Sequence, residues 1–176
     1  MLTNGWLILG EAWLNGAELC AIRYQFLYSL LNRVDPLHEN AVGYYRYFLE
    51  HDFVIKISTI AIAEYCVKGD VCELPLKNML VLPFNFDHAV RAGKMIDEVN
   101  EEKRKRGAVI TPRAIVPNDT KMFAQADVET DVNYYGTADV ECKKVYDMIK
   151  TVEGSLSFRF IDITIPYNQY FGELKF

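Results

Sequence analysis

A chain of 176 residues with 51% hydrophobic content is long enough to bury the core of one domain, and no Gly-, Ser- or Pro-rich linker divides it. Its net charge of -5 excludes a protein that coats nucleic acid by bulk electrostatics and confines any such contact to a local basic patch. The four cysteines, Cys20, Cys66, Cys72 and Cys142, lack C-x-x-C spacing and read as buried free thiols of a reducing compartment.

The apolar run at residues 6–14 is interrupted by Gly10 and Glu11 and lacks both a basic leader and a small-residue cleavage site, so it does not read as a signal peptide. No stretch reaches the roughly 20 uninterrupted apolar residues of a membrane span. These features predict a cytoplasmic protein with no membrane association.

Residues 18–34 carry Leu19, Ile22, Phe26, Leu27, Leu30, Leu31 and Val34 at three- and four-residue intervals, which predicts a helix buried on one side. Pro36 punctuates it, and Leu37, Ala41, Tyr44, Tyr45, Phe48 and Leu49 continue as a second helix, giving a helical hairpin. Tyr44, Tyr45 and Tyr47 have the chemistry to stack on bases, yet aromatic residues at helical spacing more often serve packing. Residues 53–57 form a β-branched run suited to the centre of a parallel sheet, and Ser58-Thr59 supplies two candidate caps for the helix that follows. Glu64 sits within that helix among Ile60, Ala61, Ala63 and Tyr65, where a charge requires a partner or a task.

A break at residues 69–75 precedes a short strand over residues 79–84, ending at Pro83. Ala89, Val90, Gly93, Ile96 and Val99 then pattern an amphipathic helix that turns wholly polar from Asn100. Its end carries Lys103, Arg104, Lys105 and Arg106, with Gly107 as the stop and Arg113 beyond. The cations suit a solvated helix end, where the dipole favours them; the functional alternative is a phosphate clamp.

Residues 117–141 bring three carboxylates of interest, Asp119, Asp139 and Glu141, together with a helix and a strand into one short unit. Pro117-Asn118-Asp119 opens a helix in which Asn118 is positioned to cap and Asp119 lies in the first turn. A short aromatic strand from Val132 leads through Gly136 to Thr137-Ala138-Asp139, where Thr137 or Asp139 caps the next helix. Strand ends and the helix starts after them face one crevice in a parallel sheet, so Asp119 and Asp139 are expected to converge. The helix carrying Val145, Met148, Ile149 and Val152 follows, then a closing strand over residues 157–164 and an aromatic tail that packs down. The predicted core includes Leu27, Leu30, Val54, Ile55, Ile57, Ile62, Phe123, Ile161 and Ile163.

A strand followed by the stretch Ile57-Ser58-Thr59-Ile60-Ala61-Ile62-Ala63-Glu64-Tyr65, then Pro117-Asn118-Asp119 opening a helix with Ala124-x-Ala126, then Tyr135-Gly136-Thr137-Ala138-Asp139, resembles the PIN domain family. The resemblance spans most of the chain and rests on three short motifs in order. It implies an α/β, three-layer fold with a parallel sheet of about four or five strands, in keeping with ordinary sheet sizes. It further implies a metal-dependent ribonuclease, commonly the toxin of a toxin-antitoxin pair, acting on RNA and open to pairing with an antitoxin protein or with a second copy of itself. Glu64, Asp119 and Asp139 are then the catalytic and metal-site acids for Mg²⁺ or Mn²⁺, with Glu141 as an auxiliary ligand and Asn4, Ser58 and Thr137 as polar neighbours. Lys103, Arg104, Lys105, Arg106 and Arg113 are the candidate RNA contacts. Hard divalent ions take carboxylate oxygen, activate water and neutralise the attacked phosphate, which is why the chemistry needs clustered acids.

The chain departs from the family at its first motif, a strand ending in a D-T-N triplet. The nearest match is Leu2-Thr3-Asn4, with Leu2 in place of the aspartate; a poorer one sets Gly10 there, with Glu11 as a substitute. At most three acids of a quartet remain, which predicts weak metal affinity and slow or absent cleavage. The alternative function is a degenerate, non-catalytic PIN-like module that binds RNA or a protein partner. Nucleotide-binding glycine motifs, H-E-x-x-H spacing among His38, His51 and His88, and a nucleophile elbow are all missing from the sequence.

Overall fold

The computed structural model describes residues 17–107, 117–154 and 156–172. Five strands, β1 (Leu19–Ile22), β2 (Val54–Ser58), β3 (Met79–Leu82), β4 (Val132–Thr137) and β5 (Arg159–Asp162), form one sheet in the order β3-β2-β1-β4-β5. Every pairing is parallel. The helices are α1 (Tyr24–Leu31), α2 (His38–Glu50), α3 (Thr59–Tyr65), α4 (Phe86–Lys105), α5 (Asn118–Val128), α6 (Val140–Glu153) and α7 (Tyr167–Phe171). The α2 helix packs on α1 and α7, while α4, α5 and α6 pack together. Along β4 the side chains alternate between these layers: Tyr134 meets Phe53 and Phe171, and Tyr135 meets Phe123 and Phe158. This is the three-layer, PIN-like arrangement.

The sequence-predicted helix over residues 18–34 is corrected at its start. Leu19 to Ile22 is a strand, and only Tyr24 to Leu31 is helical. Strand β1 lies at the centre of the sheet and is covered on both faces, so it needs no alternation and its apolar residues match helical spacing by coincidence. Asn118 is the first residue of α5 rather than its cap; Pro117 holds the cap position and offers no side-chain bond. Of the cysteines, Cys20 and Cys142 are buried as expected, whereas Cys66 and Cys72 are exposed; all four are free.

Strand β2 also contains a cation that its β-branched neighbours conceal. Lys56 is buried, and its ammonium lies 2.8 Å from Asp131 and 3.3 Å from Glu129, the latter also held by buried His88 at 3.2 Å. Pairing of this kind is what allows a lysine to sit inside a sheet. Of the predicted core, Leu27, Ile55, Ile57, Phe123, Ile161 and Ile163 are buried, while Leu30, Val54 and Ile62 are only partly so. The aromatic tail does pack down: Phe171 stacks on Tyr47 with centroids 4.3 Å apart, and the buried Tyr44 hydroxyl donates to the Ile165 carbonyl at 2.9 Å. Both tyrosines therefore serve packing.

Candidate functional site: a carboxylate cleft closed by an arginine

Strand order reverses between β1 and β4, and in an open parallel sheet the crevice beyond the strand ends at such a point is where ligands gather. Arg23 stands at the end of β1, its amide bonded to the Gly136 carbonyl of β4 at 3.3 Å. Asp139 stands just past the end of β4 and caps α6, accepting from the Glu141 amide at 2.8 Å and the Cys142 amide at 3.4 Å. Thr137 is buried, and its hydroxyl accepts from the Asp139 amide at 3.1 Å, which fixes the cap. Asp119 comes from the first turn of α5, and Glu64 from α3.

The guanidinium of Arg23 joins two of these acids. Nη1 donates to Asp139 Oδ2 at 2.6 Å, and Nη2 lies 2.7 Å from Asp119 Oδ1. The second contact is one of charge and distance without hydrogen-bond alignment, because Asp119 Oδ1 is buried and accepts no aligned bond among the described residues. Gln25 adds its amide to Asp139 Oδ2 at 3.1 Å, and Asn118 donates to Glu64 Oε1 at 2.9 Å. The Arg23 side chain is 8% exposed, and those of Asp119 and Asp139 are 16% and 22% exposed.

Ionisation follows from this placement. Burial works to lower the Arg23 guanidinium pKa, but the negative charges of Asp119 and Asp139 beside it oppose this, the pKa is raised, and the group stays charged. Asp119 is raised above its ordinary value of 3.8, first by burial and then by the negative charges of Asp139 and Glu64, against the opposing effect of Arg23. Burial pushes Asp139 the same way, yet its bonds from the Glu141 amide, Arg23 and Gln25 prevail and leave it lowered. Tyr135 is pushed well up by burial, so its phenol is neutral.

Ser58 caps α3 through its hydroxyl and accepts from the Ile60 amide at 3.0 Å. Glu141 is exposed and pairs with Lys144 at 2.6 Å, 73% of its side chain open to solvent. Lys105 and Arg106 end α4 beside Glu102, and Gly107 takes a positive φ of 84° as the predicted stop. Asn4, Arg113 and both first-motif matches lie outside the described residues. The strand that reaches the crevice from the centre of the sheet is Leu19–Ile22, so the residue at its end is Arg23. Sequence reasoning missed Arg23 and Gln25. The available signal was the triplet Arg23-Tyr24-Gln25 after a four-residue apolar strand, which keeps an amide at the third position of D-T-N.

A divalent ion does not fit these side chains as they stand. Among the described residues no three carboxylates, histidines or cysteines are grouped to hold a metal, and the space between Asp119 and Asp139 is spanned by a guanidinium. Beside the cleft, a groove of about 880 Å³ runs between α1 and the α3 region, lined by Tyr24, Gln25, Tyr28, Glu64 and Tyr65.

No protein-family model matches the sequence. A search of curated proteins returned no significant match. Solved structures do resemble the fold. A chain of VapBC2 from Rickettsia felis, in a crystal structure bound to a DNA fragment from their promoter, is 16% identical with a TM-score of 0.51, over 82% of this chain and 99% of that one. A chain of DNA-bound VapBC from Salmonella typhimurium is 12% identical with a TM-score of 0.48, over 81% and 98%. Likeness at this identity bears on the fold alone. Among the described residues no helix is long and apolar enough to cross a membrane.

Proposed function

We propose that this chain is a cytoplasmic, single-domain PIN-like module that binds without cleaving, and that its target is a protein partner of the antitoxin kind. The observation that carries the reading is the Arg23 guanidinium spanning Asp119 and Asp139. Metal-assisted RNA hydrolysis needs carboxylates free to hold an ion that activates water. A guanidinium supplies charge but has no vacant coordination position, and its high pKa bars it from serving as a base. Nor does it leave by titration, since arginine is not deprotonated in proteins.

The protein partner is supported by the likeness to a VapBC2 chain, a component of a complex, and by apolar side chains that need cover. Edge strand β3 and the start of α4 leave Leu80, Val81, Phe86 and Val90 exposed. The RNA alternative draws on the solvated Lys103 to Arg106 end of α4. The test is incubation of the protein with single-stranded RNA in Mg²⁺, in Mn²⁺ and in EDTA, with RNA and partner binding measured in parallel. The expected result is intact RNA under all three conditions. Metal-dependent cleavage abolished by Asp119→Asn would overturn the reading in favour of the active ribonuclease.

A further inference from the structure

We infer that Arg23 is the resident cation of this cleft, standing in for a divalent ion, and that exchanging this one side chain for a carboxylate opens a site for Mn²⁺ or Mg²⁺. The inference rests on the non-cleaving reading above and specifies what keeps the cleft closed. Arg23 issues from the end of the central strand, where β1 is bonded to β2 on one side and β4 on the other, so its backbone position is fixed by the sheet. From there the fork reaches both aspartates, at 2.6 and 2.7 Å. A metal bound by carboxylates would answer the same electrostatic demand from the same place.

The atoms around the guanidinium indicate how incomplete the substitution is. The single positive charge of Arg23 is shared by Asp119 and Asp139, and Glu64 adds a further negative charge to the surroundings of Asp119. Asp119 Oδ1, Glu64 Oε2 and Gln25 Oε1 are buried oxygens that accept no hydrogen bond among the described residues. Nearby, the Tyr135 hydroxyl is also unpartnered, on a side chain that is 1% exposed. Carboxylate and carboxamide oxygens left unsatisfied in this way are the donor type that hard cations take. Arg23→Asp shortens the side chain by several heavy atoms, vacates the space between the two aspartates and adds a fourth acid. Four acids without a cation repel one another, so the variant's stability becomes dependent on the ion.

The experiment uses the full chain, wild type against Arg23→Asp, in EDTA and in Mn²⁺. Free Mn²⁺ is followed by its electron paramagnetic resonance signal, and unfolding by circular dichroism. Wild type should leave the free-ion signal and its Tm unchanged. Arg23→Asp should deplete the signal and gain roughly 5–10 °C in Tm at Mn²⁺ about a hundredfold above its Kd. Adding Asp119→Asn to Arg23→Asp should weaken Mn²⁺ binding at least about tenfold.

Should Arg23→Asp fail to fold in either buffer, Arg23→Gln carries the test, because it removes the cation without adding charge and should still bind Mn²⁺ more tightly than wild type. A folded Arg23→Asp or Arg23→Gln with no Mn²⁺ response overturns the inference, as does wild type binding Mn²⁺ as tightly as the variants. RNA cleavage by wild type would instead defeat the proposed function, so the two failures are distinct.

Discussion

Asp139→Asn has opposite expected signs in a bare acid cluster and in a cleft with its own cation. Where like charges crowd together without a counter-ion, neutralising one relieves repulsion and raises stability. Here Asp139 Oδ2 accepts from Arg23 at 2.6 Å and from Gln25 at 3.1 Å, and an amide nitrogen at that position would turn donors against donors. Breaking a buried ion pair costs about 3–5 kcal/mol. The 22% exposure of Asp139 and the remaining pairing of Arg23 with Asp119 reduce that figure, and the amide oxygen can keep the α6 cap. A loss of about 2–3 kcal/mol is expected, from the worth of a charged hydrogen bond and the cost of stranding part of a buried charge.

For a protein of this length the loss corresponds to a Tm lower by about 4–12 °C. Thermal and urea unfolding in EDTA at pH 7 measure it. Asp139→Ala should cost about 1 kcal/mol more, since it also removes the cap to the Glu141 and Cys142 amides. An Asp139→Asn protein as stable as wild type, or more stable, would refute the claim that Arg23 and Asp139 form a stabilising pair.

Asp119→Asn should be milder, within about 1 kcal/mol of wild type, because the misaligned pairing with Arg23 is offset by burial and by the nearby Asp139 and Glu64 charges. The two acids also have opposite pH signatures. Asp119, raised in the folded protein, binds its proton more tightly there than when unfolded, so its contribution declines as pH rises from 3.8 through the raised value; Asp139, lowered, contributes fully above 3.8 and loses that stability as pH falls through its lowered value. Urea titrations across that range should find that Asp119→Asn removes the first slope and Asp139→Asn the second. Gly43→Ala should destabilise by about 1–3 kcal/mol although Ala ordinarily gains about 1 kcal/mol in a helix, because its Cβ would lie 2.8 Å from the Tyr167 ring; a higher Tm would show that α7 shifts freely. Lys103→Ala with Arg104→Ala should leave partner binding unchanged; if RNA is the ligand instead, its affinity should fall and its salt slope flatten by roughly one for each phosphate no longer neutralised.

Local chemistry was enough for much of this molecule. The β-branched residues of β2, the proline that opens α5, the aromatic run of β4 and the Thr137-Ala138-Asp139 cap each act over a few residues, and each forms close to its expected position. From the alternation of these elements a parallel three-layer fold followed. Strand β1 was illegible for the reason that makes it central: a strand buried on both faces has no period of its own, and Leu19, Ile22 and Phe26 happen to fall at helical spacing. Arg23 was hidden more deeply still. Its neighbours in sequence offer it no acid, and the carboxylate it holds most closely is 116 residues away. Which acids were available, and which elements would carry them, could be read along the chain. That the cation among them belongs to the chain itself emerges only on folding, because charge pairing depends on distance in space, and the sheet alone brings the end of β1 to the start of α6.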